Sequence, residues 1–95
     1  MPVKNTNEQI LVVDDDEAIR WILREALQSW GFEPVQAGTV AEAVRQLKAD
    51  VPAAVLLDID LPDGSGLDVL REIKREHPDA IVIMITGNVQ IDNTI

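Results

Sequence analysis

The chain has 95 residues, enough for one small domain and not for two, and its 46% apolar and 26% charged residues exclude a disordered polymer. A net charge of −9, from 8 basic and 17 acidic side chains, repels polyphosphates and argues against direct nucleic-acid binding by this segment. The absence of cysteine excludes disulfides and thiolate metal sites. No apolar run approaches the roughly 18 residues needed to cross a bilayer. Residues 1–9, "MPVKNTNEQ", hold no apolar signal core, so neither membrane insertion nor export is expected and a cytoplasmic location is.

The first element lies in "ILVVDDDEAIRW", where four apolar residues run straight into three aspartates. Residues 10–13 are too few for a helix and rich in Val and Ile, which predicts a strand buried on both faces. From Asp16 to Trp30 the apolar residues Ile19, Ile22, Leu23, Ala26, Leu27 and Trp30 form one stripe at about 100° per residue, which predicts a helix. Trp21 falls nearly opposite, either half covered by its neighbours or free to meet a partner. Asp16 suits the N-cap and Gly31 the left-handed stop. Residues 32–37 follow as an edge strand, demoted by Pro34.

A second helix begins at Thr39, where Thr39 and Glu42 have capping-box spacing and Ala43, Val44 and Leu47 supply the buried side. Residues 53–57 form the next buried strand and end at Asp58. A third helix starts near Ser65, turns Leu67, Leu70 and Ile73 inward, and must end before Pro78. Gly64 and Gly66 suit the turn ahead of it, and His77 sits favourably at its carboxyl end. Residues 80–85 are the fourth long strand, and Asn88 could cap a further helix.

Strand and helix alternate three times before the last strand. This order implies right-handed crossovers and a parallel sheet covered on both faces, with ligands bound at the carboxyl ends of the strands. Asp14 and Asp15 leave the first strand at that end, and Asp58 leaves the third. If the strands are neighbours, three carboxylates converge on one rim, where a hard cation such as Mg²⁺ would offset their repulsion and keep waters for a phosphate group. Thr86 and the Gly87 amide, in "VIMITGN", would donate to phosphoryl oxygens at the same rim. That set suits phosphoryl transfer to a carboxylate nucleophile.

At "LVVDDD", "LLDIDLPDGSGLDVL" and "VIMITG" the sequence resembles the receiver domains of two-component response regulators. The resemblance covers nearly the whole chain as one domain. It implies an α/β, flavodoxin-like (CheY-like) doubly wound parallel sheet, strand order 2-1-3-4, with the family's fifth strand and helix missing. It makes Asp58 the phosphoacceptor for a sensor histidine kinase and Mg²⁺ the cofactor. Asp15 becomes a direct metal ligand beside Asp58, Asp14 acts mainly through water, and Asp60 offers its main-chain carbonyl. Thr86 and the amides of Ile59, Asp60 and Gly87 would meet the phosphoryl oxygens. The role is that of a phosphorylated relay and not of an enzyme, passing the signal to an output domain that regulates transcription. The stretch "DDDEAIRWILREAL" looks most like NtrC-like activators.

The family pattern continues past the last residue here with a lysine that pairs with the phosphoryl group and an aromatic switch residue. A chain without them is expected to be a fragment of a longer regulator and a weak phosphoacceptor. Its fourth strand, "AIVIMI", is expected to present an exposed edge, through which a homodimer could form. Two alternatives stand beside this reading. "DID" at residues 58–60 resembles the paired aspartates of haloacid-dehalogenase-like phosphatases, in which the second, here Asp60, is general acid/base, although the pair follows the third strand where that family has it on the first, and Pro62 stands where it wants Thr or Val. A pseudo-receiver that only binds a partner is the other.

Overall fold

A computed structural model describes residues 8–85. The elements in chain order are β1 (Gln9–Val13), α1 (Glu17–Ser29), β2 (Glu33–Ala37), α2 (Val40–Ala49), β3 (Ala54–Asp58), β4 (Asp60–Leu61), β5 (Gly64–Ser65), α3 (Gly66–Glu76) and β6 (Ile81–Ile85). The four long strands are parallel and lie in the order β2-β1-β3-β6. This is the expected order 2-1-3-4, with β6 as the fourth long strand. Asn88 lies outside the described residues.

Alternation along β1 divides the core in two. Leu11 and Val13 join Ala37, Val55 and Leu57 on one face, under Ala43 and Leu47 of α2 and Val69 and Ile73 of α3. Ile10 and Val12 face the other way, where Leu23 and Leu27 of α1 cover them with Phe32, Ala54 and Leu56. Burial on both faces is why these strands read as continuous apolar runs and not as alternating ones. β2 is an edge strand and keeps Pro34 in register opposite Ile10, because one side of an edge strand needs no ladder donor. On β6, Val82 and Met84 pack on the α2/α3 side, while Ile81 and Ile83 stand exposed.

Two helix faces differ from expectation. In α1 only Leu27 is fully buried, and Ile22 and Trp30 are 59% and 56% exposed. Ile22 lies five residues before Leu27, about 140° around the helix, so a stripe drawn wide enough to include it overruns the sheet contact. Trp21 is exposed too. In α3 the buried ridge is Gly66, Val69 and Ile73, with Leu70 half-buried, while Leu67 is 47% exposed. A glycine adds nothing to hydropathy, so its place on the ridge is invisible in the pattern and Leu67 takes it by default.

The caps at Asp16 and Thr39 hold as expected, and Ser65, near the expected start of α3, caps it as well. Asp16 accepts from the Ala18 and Ile19 amides, Thr39 from Glu42 at 3.0 Å and Ser65 from Leu67 at 3.1 Å. In the capping box, Glu42 accepts from the Gly38 amide, one residue before the usual partner. Gly31 follows α1 at φ 87°, and His77 ends α3 by donating its amide to Ile73.

Candidate functional site

Register brings the acids together. Val13 of β1 is paired with Leu57 of β3, so the next residues, Asp14 and Asp58, leave adjacent strands at the same level. Carboxylate oxygens of Asp14, Asp15 and Asp58 all lie within 4.8 Å of one another. The run of three aspartates is thereby divided. Asp14 turns down into the rim and is 2% exposed, Asp15 stands open above it, and Asp16 caps α1.

Asp14 is held by donating its amide to Ala37 and accepting the Asp16 amide on Oδ1 at 2.9 Å. Asp58, 6% exposed, accepts the Asp60 amide on Oδ1 at 3.3 Å. Burial, followed by the charges of Asp58, Asp15 and Asp16, pushes the Asp14 carboxyl above the ordinary carboxylate range, while the bond from the Asp16 amide pulls it down. Two unit charges this close repel by on the order of 3 kcal/mol at an effective dielectric of about 20. Oxygens on opposite sides of one Mg²⁺ are about 4.2 Å apart, so the cluster is at the reach of a single ion.

A raised carboxyl contributes stability that is full below its unfolded-state value and is lost as pH rises through its folded value. Without metal, Asp14 therefore weakens the fold at neutral pH. Asp14→Asn keeps the shape and the acceptor for Asp16. In chelator at neutral pH it should melt a few degrees higher than the parent, and the difference should vanish as pH falls to about 4. With added Mg²⁺ the parent should gain stability, and the variant less. A variant that melts lower than the parent in chelator would remove the argument.

After Asp58 the chain folds into a small antiparallel hairpin of β4 and β5, with Pro62 and Asp63 at its turn. Strands of two residues leave no periodicity, and the sequence offers no signal for them. The hairpin carries Asp63 to the amino end of α2, where its carboxylate accepts the Val40 and Ala41 amides at 2.7 and 3.1 Å. Together with Thr39 on Glu42, this occupies the first three amides of α2. These amides hold the Asp63 carboxyl below its ordinary range. A lowered carboxyl contributes stability above its unfolded-state value that is lost as pH falls through its folded value. Asp63→Asn should lower the melting temperature at neutral pH, with the gap closing toward about pH 3; equal melting at pH 7 would count against the cap.

Of the other site residues, Asp60 is exposed and its carboxylate is not among the clustered ones, and Ile59 is half-buried with its carbonyl taken by the Gly66 amide. Ile85 is paired with Asp58 at the end of β6; Thr86 and Gly87, which follow it, lie outside the described residues. No helix among the described residues is long and apolar enough to cross a membrane.

Relatives and solved structures share this frame. The photosynthetic apparatus regulatory protein RegA of Rhodovulum sulfidophilum is 40% identical over 78 residues, which are 82% of this chain and 43% of RegA. The DNA-binding transcriptional regulator NtrC of Escherichia coli K12 is 36% identical over 86 residues, 90% of this chain and 18% of NtrC. The chain thus spans less than half the length of either relative. The response regulator TrrA of Thermotoga maritima, solved in complex with Mg(2+)-BeF, superposes with a TM-score of 0.81 at 39% identity, covering 86% of this chain and 71% of that one. TrrA has also been solved with the histidine kinase ThkA, where the TM-score is 0.78 at 38% identity, covering 90% of this chain and 76% of that one. The profile of the response regulator receiver domain matches residues 10–95. With its strand order, its rim of acids and this match agreeing over nearly its full length, the chain belongs to the response regulator receiver domain family of two-component systems.

Proposed function

We propose that the chain is the phosphoacceptor part of a regulator of transcription, taking a phosphoryl group on Asp58 from a sensor histidine kinase. The observation that carries this is the meeting of the Asp14, Asp15 and Asp58 carboxylates at one rim in a member of this family. Asp58 is the nucleophile: an oxygen of its carboxylate bonds to phosphorus, the phosphorus–nitrogen bond of the donor phosphohistidine breaks, and the imidazole keeps the electron pair and takes a proton. Asp14, Asp15, Asp58 and the main-chain carbonyl of Asp60 would hold Mg²⁺. When bound, that ion neutralises charge on the transferring group. The amides of Ile59, Asp60 and Gly87 and the Thr86 hydroxyl complete the reading as donors to the phosphoryl oxygens. The Asp60 amide, now on Asp58 Oδ1, has only to change acceptor.

The kinase partner is supported by the complex of TrrA with ThkA, and the metal by the complex of TrrA with Mg(2+)-BeF. The transcriptional output rests on the likeness to NtrC. A cytoplasmic site of action accompanies a kinase that draws on ATP. In this reading the domain is a relay and not a turnover enzyme, and the family match favours it over the haloacid-dehalogenase alternative.

The test is to mix the chain with a phosphorylated histidine kinase, with Mg²⁺ or with chelator. A covalent, hydroxylamine-labile phosphoryl group should form in Mg²⁺ alone. Steady hydrolysis of an added phosphate monoester with nothing retained on the protein would overturn the reading. No transfer from any donor would leave the pseudo-receiver.

A further inference from the structure

Arg20 stands one turn into α1, beside the acidic rim, and yet neither of its hydrogen bonds goes to a carboxylate. Its Nη1 donates to the Asp14 carbonyl at 2.7 Å and its Nε to Gln36 Oε1 on β2 at 3.3 Å. Among the described residues Arg24, Arg71 and Arg75 all pair with acids, whereas Arg20 binds two neutral oxygens. The guanidinium is partly buried and spans three elements: the carboxyl end of β1, β2, and its own helix. It passes close over the turn between β2 and α2. A Cβ on Gly38 would lie 3.1 Å from Nη1 and 3.9 Å from the Asp14 carbonyl, tighter than ordinary contact at the first.

We propose that Arg20 is a positioning residue for the cation site, fixing the Asp14–Asp15 corner by its main chain so that both carboxylates stay free to share an ion, and that Gly38 is the clearance it needs. The chemistry explains the choice of partners. A guanidinium paired with Asp14, Asp15 or Asp58 would occupy the cation's place. Holding the carbonyl of Asp14 fixes the same corner through the main chain, and the bond to Gln36 engages a second point of the planar fork. The inference rests on the metal-binding reading above and deepens it.

Two physical roles for Arg20 predict opposite signs. If it acted only as a nearby positive charge, Arg20→Met would tighten Mg²⁺ binding, because like charges repel. If it positions ligands, the same change loosens binding, and so does Arg20→Lys, which keeps the charge but loses the two-point fork. Gly38→Ala leaves the arginine in place and crowds it, with the same expected direction. The experiment is calorimetric titration of the chain with MgCl₂ for the parent, Arg20→Met, Arg20→Lys and Gly38→Ala, with melting of each in chelator to establish that it is folded.

Weakening of about tenfold is expected for both Arg20 variants, the lower end of what losing a group that holds a metal's ligands costs. A smaller loss is expected for Gly38→Ala. A merely structural role would lower melting in chelator and leave Mg²⁺ affinity unmoved, and that result overturns the proposal. Equal or tighter binding by Arg20→Met overturns it as well. If Arg20→Met does not melt cooperatively, Arg20→Lys and Gly38→Ala decide by the same criterion. A parent chain that takes up no Mg²⁺ refutes the cation site itself, a different failure that the titration shows directly.

Discussion

Asp58→Asn will abolish phosphoryl acceptance and, in the same sample, raise the metal-free melting temperature. The two effects share one cause. The carboxylate of Asp58 is both the proposed nucleophile and one of three charges within 4.8 Å. An amide of the same shape has no anionic oxygen to attack phosphorus, so labelling from a phosphorylated kinase should fall on the order of 100-fold or more. The same change removes repulsion between Asp58 and its two neighbours. Each close pair costs from about 1 kcal/mol in water to about 4 at an intermediate dielectric. At the low end, relief of roughly 1 kcal/mol lifts melting by about 4–8 °C in a domain this small. Asp60→Asn is the control, since its side chain is exposed and outside the cluster. Labelling should survive it. A phosphatase using Asp60 as general acid would be silenced by that change, so the pair of variants separates the two chemistries. Labelling that persists in Asp58→Asn, or melting that drops in chelator, would contradict the assignment.

What could be read from the residues and what could not divides along one physical line. Residues 10–13 and 53–57 declared themselves as strands because burial on both faces leaves an unbroken apolar run, and Asp16, Thr39 and Ser65 cap helices whose amides lie two or three residues away. The acidic rim was legible because strand ends in a parallel sheet share a side, so topology alone brings Asp14 and Asp58 together. Asp63 was not legible. It caps a helix whose first amides lie 22 and 23 residues earlier in the chain. Its role needs the hairpin at residues 60–65, for which two-residue strands give no pattern. Arg20 was hidden for a related reason: its partner is a main-chain carbonyl, and every residue has one. The inward faces of α1 and α3 were drawn too freely, at Ile22, Trp30 and Leu67, because hydropathy shows which residues are apolar but not where a sheet ends. Local bonds and periodic burial leave marks in sequence; contacts through the main chain, across long separations or onto glycine do not.

Gly66 is the clearest instance of the last kind and carries the largest expected change in stability. It is buried at the first position of α3, and its amide donates to the Ile59 carbonyl at 2.6 Å. A Cβ built there would overlap the Asp58 carbonyl oxygen and crowd its carbonyl carbon at 2.9 Å and the Ile59 Cα at 3.0 Å. Elsewhere in a helix, Gly→Ala gains up to about 1 kcal/mol from a stiffer unfolded chain. At Gly66 that gain is opposed by overlap with main chain, which cannot rotate aside as a side-chain tip can. Overpacking typically costs about 1–3 kcal/mol, and a backbone collision belongs at the upper end. The loss wins. Gly66→Ala should melt roughly 10–20 °C below the parent, and the shift should reach the site, because relief requires moving the peptide that carries Asp58. The variant's stabilisation by Mg²⁺ should therefore shrink along with its melting temperature. Leu67→Ala in the same turn is the comparison: the side chain is 47% exposed, and its removal should change stability by no more than about 0.5 kcal/mol. If Gly66→Ala melted like the parent while Leu67→Ala fell steeply, the helix would have to be turned about its axis to bury Leu67, and the close approach of α3 to the Asp58 peptide would be wrong.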